Sequence, residues 1–165
     1  MLWLRALLFT LVMPTLFGVL APYWLRGSRP LQSGPWRLGW IPIAIGATVY
    51  LSCLLSFLAA HGTPAPFFAR KLRAVIGEEP ASLVSAGLYR HSRNPMYVGV
   101  LLVVFGQALL FASSAIAVYG LVGWLLLNLA VRCIEEPHLR AKQGAEYEEY
   151  CRQVPRWIGV PRSRG

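Results

Sequence analysis

Two polar stretches hold the residue types that could do chemistry: Arg93-Asn94-Pro95-Met96-Tyr97 and Arg132-Cys133-Ile134-Glu135-Glu136. Between them, residues 96–131 carry no charged side chain. Asn94 is a favourable helix N-cap, and Pro95 suits the first helical position, where its missing N–H costs little. The free N–H groups of the turn that follows make a small anion site. Glu135 and Glu136 are adjacent carboxylates at the edge of an apolar run, partly desolvated and in need of partners. Arg93 and Arg132 are the candidates. If the uncharged run folds back as a hairpin, the two polar edges meet on one face. A ligand carrying both a carboxylate and an ammonium would then bridge the helix start and Glu135.

The elements that must position these residues are apolar. Of 165 residues, 56% are hydrophobic and 14% charged, against about 25% charged in ordinary soluble domains. Four windows approach or exceed the ~18–20 apolar residues that cross a bilayer. They cover about 2–25, 38–60, 96–111 and 116–134. The expectation is an all-α, polytopic integral membrane protein, a single domain over 1–165. The first span carries only Arg5, and Pro14 kinks it. It reads as a retained helix rather than a signal peptide, because no small-x-small cleavage site follows. Trp36 and Trp40 suit the water interface. The segment 61–95 is long and polar, interrupted by Pro64 and Pro66, and rich enough in Leu, Val, Phe and Tyr for a structured loop on the membrane surface. Residues 112–115 leave room only for a tight turn between the last two spans. Gly99, Gly106, Gly120 and Gly123 offer small surfaces for close helix approach, and Gln107 and Asn128 are lone polar groups suited to bonds between helices. In the tail, 135–165, the spacing of Leu139, Gln143, Glu146, Tyr147 and Tyr150 predicts one short helix over about 137–152.

Charge sets the orientation. Of 16 lysines and arginines, all but Arg26, Arg29 and Arg37 fall on the side shared by the N-terminus, the 61–95 loop and the tail, and so do all 7 acidic residues. The positive-inside rule puts that side, with both termini, in the cytoplasm. The net charge of +9 is explained by residues flanking spans and meeting anionic head groups, and no nucleic-acid-binding motif is present. Cys53, Cys133 and Cys151 lack zinc or disulfide spacing and read as reduced structural thiols. His61, His91 and His138 are isolated, without the helical HxxxH spacing of a metal site.

Gly87-Leu88-Tyr89, Arg93-Asn94-Pro95-Met96-Tyr97-Val98-Gly99, Glu135-Glu136, Gly144-Ala145-Glu146-Tyr147-Glu148-Glu149-Tyr150 and Val154-Pro155-Arg156 together resemble the isoprenylcysteine carboxyl methyltransferase family, in its bacterial form. The related phospholipid N-methyltransferases share much of the pattern. The resemblance covers about 83–158 and rests on the order and spacing of the motifs. It implies a membrane methyltransferase that uses S-adenosylmethionine without a Rossmann domain or a metal, acts on a lipid-like substrate in the bilayer, and lies in a bacterial inner membrane. By position it implies that Leu83 and Val84 lie along the cofactor and that Tyr89 touches it. Asn94, Pro95, Met96 and Tyr97 would wrap the cofactor and Glu135 would bind it. One departure is Asn94, where many members carry His. Asparagine caps and donates but does not titrate near neutral pH, which moves the substrate away from the eukaryotic type.

The implied reaction is a direct displacement in which alignment dominates. A carboxylate acceptor needs no base, only a cation such as Arg93 or Arg132. An amine acceptor must be neutral, and Glu136 could take its proton. Three readings stay open: carboxyl O-methylation of a prenylated or other amphiphilic acid, N-methylation of a phospholipid amine, and a non-catalytic membrane scaffold or accessory protein.

Overall fold

The computed structural model describes residues 12, 14–28, 30–31, 34–60 and 83–159. The first part of the expected first span, including Arg5, lies outside them. So do His61, the basic and acidic residues of 61–82, and the last residues of the tail. The described residues are helical, with no strand among them.

The chain enters as a π-helical segment, Pro14–Leu20, that tightens into α1, Ala21–Leu25. Pro22 has no N–H, so it donates neither to the Gly18 carbonyl one α-turn before it nor to the Phe17 carbonyl one π-turn before it. Both are satisfied from elsewhere. The Gln107 carboxamide donates to the Gly18 carbonyl at 2.6 Å, and the Tyr119 hydroxyl donates to the Phe17 carbonyl at 2.8 Å. The expected cross-helix role of Gln107 thus has a specific cause.

A 3₁₀ turn, Gly34–Gly39, leads into α2, Trp40–Ala59. After the loop, a short 3₁₀ turn at Gly87–Arg90 precedes α3, Pro95–Leu110. Residues 111–113 turn the chain, and Ser113 caps α4, Ser114–Ala130, by accepting from the Ile116 N–H at 3.4 Å. α4 runs through a π-helical turn, Val131–Glu135, into α5, Glu136–Gln143. The tail is not the single helix expected over 137–152. Gly144, at φ 55° and ψ −127°, breaks it, and α6 follows as Ala145–Gln153. A left-handed φ of that kind is open to glycine at little cost.

Two helices are long and apolar enough to cross a membrane: Gly34–Ala59, of 26 residues, and Ser114–Gln143, of 30. α3 is a shorter apolar helix of 16 residues. It lies against α2 through two glycine pairs. A Cβ on Gly99 would stand 2.8 Å from the Gly46 carbonyl oxygen, and one on Gly106 would stand 2.7 Å from that of Gly39. Such contact lets two backbones touch where larger side chains would hold them apart. Above and below, Tyr50, Cys53, Leu54 and Leu58 of α2 pack with Tyr89 and Met96, while Val104, Ala108 and Leu110 of α3 pack with Phe111 and Ile116. The outer faces keep their apolar side chains exposed, among them Leu51, Leu55, Leu125, Leu126 and Leu129. A contiguous apolar surface of this kind belongs against lipid rather than water.

Candidate active site

The loop before α3 brings several expected cofactor residues together. Leu83 and Val84 are half-buried, and Val84 packs on the cluster that includes Tyr89 and Met96. Tyr89 stands edge-on to Phe57, with ring centroids 5.7 Å apart. Its carbonyl accepts from the Tyr150 hydroxyl of α6 at 2.6 Å. Asn94 differs from expectation. It precedes α3, and its carbonyl accepts from the Val98 N–H at 3.3 Å, but its side chain does not cap the helix. The carboxamide instead donates to the Arg156 carbonyl at 3.0 Å. Pro95 occupies the first helical position as expected. The first turn of α3 therefore keeps its N–H groups clear of any side-chain cap.

The two carboxylates have different surroundings. Glu135 is half-buried and accepts a short hydrogen bond from the Tyr97 hydroxyl of α3. Glu136 is 2% exposed. Arg156 grips it with two prongs, Nε at 2.6 Å from one oxygen and Nη2 at 3.0 Å from the other. Arg93 Nη1 reaches the same carboxylate at 3.0 Å, and Arg140 reaches it at 3.5 Å from one turn further along the helix. Burial pushes the Glu136 carboxyl up. The hydrogen bond from Arg156 and the charges of Arg93, Arg156 and Arg140 outweigh it and hold the group below its ordinary value. Glu136 lies beyond the apolar stretch of α4, at the start of a polar helix, and is a charged carboxylate at neutral pH. A group so engaged is poorly suited to take a proton from a substrate amine.

Arg93 is therefore paired as expected, whereas Arg132 is not. Arg132 is exposed and forms no ion pair among the described residues. The partners that replace it come from further along the chain. The tail folds back on the start of α3: the Arg93 N–H donates to the Pro155 carbonyl at 2.9 Å, alongside the Asn94–Arg156 bond. One step further, the Trp157 indole N–H donates to the Asn128 side-chain oxygen of α4 at 3.1 Å. Arg156, Arg140 and Trp157 had no assigned role in the sequence, and Tyr150 entered only through the helical spacing of the tail and its motif. The only signal for Arg156 was its place in the Val154-Pro155-Arg156 motif.

His91 is exposed and His138 half-buried. Among the described residues no cluster of three or more His, Cys, Asp or Glu could hold a metal ion, and the three cysteines are free thiols.

The phospholipid methyltransferase family model matches residues 36–146, about two-thirds of the chain. The chain belongs to the phospholipid methyltransferase family. This is the grouping to which the motifs around Asn94 and Glu135 pointed, and it is a family of membrane methyltransferases. No curated protein and no solved structure matches the chain. The match runs from the 3₁₀ turn before α2 into α6 and stops short of Arg156.

Proposed function

We propose that this protein is an S-adenosylmethionine-dependent methyltransferase acting on a lipid-like acceptor, with a carboxylate as the methylated group. The observation that carries it is the pairing at the helix start: a half-buried carboxylate, Glu135, tied by Tyr97 to a first helical turn that no side chain caps. The cofactor fits this donor set. Its amino-acid end bears an ammonium for Glu135 and a carboxylate for the amides at the start of α3. The apolar and aromatic surface of Leu83, Val84, Tyr89 and Met96 suits the remainder. When bound, the cofactor supplies an already activated sulfonium methyl.

The chain's own residues then bind and orient. Glu135, Asn94, Pro95, Met96 and Tyr97 hold one end of the site. Tyr97 fixes the Glu135 carboxylate so that it does not reorganise on binding. Arg93 and Glu136 form the polar wall beside it, and Arg132, exposed at the lipid edge, receives the acidic head of an acceptor arriving from the bilayer. The carboxylate reading is supported by Glu136, because three arginines hold it charged and away from use as a base. The amine reading is favoured by one finding, the family's description as phospholipid methyltransferases.

The same reading has four spans, 2–25, 38–60, 96–111 and 116–134, with both termini and the site in the cytoplasm of a bacterial inner membrane. It is supported by the lysine and arginine bias and by the two long apolar helices. Transfer of a labelled methyl group to membrane extracts, to amphiphilic acids and to phospholipid amines tests the function. Label in base-labile esters is expected. Label confined to phospholipid amines would replace the carboxylate reading with the N-methyl one, and no label in any fraction would leave a non-catalytic membrane protein.

A further inference from the structure

The C-terminal segment lies outside the family match, yet one residue of it touches both halves of the site. Arg156 holds Glu136 through its guanidinium, at 2.6 and 3.0 Å, and holds the Asn94 carboxamide through its main-chain carbonyl, at 3.0 Å. Its neighbours are fixed on either side, Pro155 by the Arg93 N–H at 2.9 Å and Trp157 by Asn128 at 3.1 Å. The guanidinium is therefore delivered to Glu136 by a clamped backbone, with little freedom to seek another partner. Without it, Arg93 would face the carboxylate from the α3 side through a single nitrogen, Nη1, which also donates to the Cys151 sulfur at 2.7 Å.

We propose that Arg156 is a positioning residue of the methyltransferase site, holding the carboxylate-bearing end of α4 and the start of α3 in register for the ligand between them. This rests on the functional reading above. A two-pronged guanidinium bond fixes direction as well as distance, which an ammonium does not. Glu135, next to Glu136 on the same helical turn, inherits that fixed position, and so does the first turn of α3 through Asn94. Arg156 itself touches no reacting atom in this scheme.

The test is binding of S-adenosylhomocysteine by calorimetry, on the full chain in detergent, for wild type, Arg156→Gln, Arg156→Lys and Tyr119→Phe. Hydrogen–deuterium exchange over residues 91–99 is read on the same samples without ligand. Arg156→Gln is expected to lose about tenfold in affinity, the size of one charge-assisted hydrogen bond, and to exchange faster over 91–99. Arg156→Lys keeps the charge but not the fork, and is expected to lose about threefold. It carries the test alone if the glutamine variant does not fold. Tyr119→Phe removes the hydroxyl's bond to the Phe17 carbonyl, away from the site, and is expected to lower the melting temperature while keeping affinity and exchange. Wild-type affinity and exchange in the Arg156 variants overturn the proposal alone. So does an equal loss in Tyr119→Phe, which would reduce the effect to general stability. A wild-type protein that binds no S-adenosylhomocysteine overturns both this proposal and the functional reading.

Discussion

Glu136 shows what a buried charge requires. Removing a carboxylate from water costs several kcal/mol unless geometry and hydrogen bonds replace its hydration. Here two prongs from Arg156, one from Arg93 and a longer contact from Arg140 do so. Because the folded carboxyl is held below its ordinary value near 4.5, the folded chain binds this proton more weakly than the unfolded chain. The linked stability is therefore present in full above that ordinary value and is lost as pH falls through the folded one. Thermal unfolding in detergent is expected to be flat in this respect from pH 7 to 5 and to weaken in more acid solution. Glu136→Gln is expected to cost about 3–5 kcal/mol at neutral pH and to remove much of the acid sensitivity. An unchanged melting temperature would contradict the pairing. The need for partners at Glu135-Glu136 was legible in the sequence, and so was Arg93 as one of them. Arg132 was the wrong second candidate, because closeness along the chain favoured it. Arg156 stands two helix breaks later, and no local pattern says that the tail returns.

The contact between α2 and α3 is set by absent side chains. Gly99 faces Gly46 and Gly106 faces Gly39, each pair seven residues apart along its helix, so the two antiparallel helices touch at two points of one seam. The obstacle to a Cβ at Gly99 is backbone, which cannot move aside as a side-chain tip does. Gly99→Val is expected to destabilise by about 1–3 kcal/mol, as overpacking does. Gly123→Ala meets nothing within 4 Å and is expected to leave the melting temperature unchanged or raise it slightly. Equal effects of the two would show that the helices are not held by this seam. Composition suggested all four hairpin glycines as contact points, and three are. Gly123 could not be told apart, since helical spacing gives a face but not whether a neighbour covers it. Gly144 was missed for a related reason: the apolar spacing on both sides of it continues as if one helix ran through, and only its left-handed backbone ends α5.

At the scale of the molecule, the chain brings a polar loop and a polar tail to the same ends of two apolar helices, and the clasp between them is built from Arg93, Asn94, Arg156 and Trp157. The helical class, a tight turn between the last two spans, expected at 112–115 and found at 111–113, and the meeting of the two polar edges on one face were legible, though not the bond from Tyr97 to Glu135 itself. Each follows from a local signal: an uncharged run, a short turn, a proline start and a carboxylate one hairpin away. What was not legible is the return of residues 154–157, which depends on pairings between segments some 60 residues apart. It is this return that turns Asn94 away from capping α3 and toward Arg156. The central claim is that Glu135 and the start of α3 together hold S-adenosylmethionine. Its most direct test is calorimetric titration of S-adenosylhomocysteine into the full chain, wild type against Glu135→Gln. The expected result is saturable binding by wild type, weakened in the variant by on the order of 1–3 kcal/mol, as loss of a charge-assisted hydrogen bond would. Wild type that binds nothing, or a variant that binds as tightly as wild type, would contradict it.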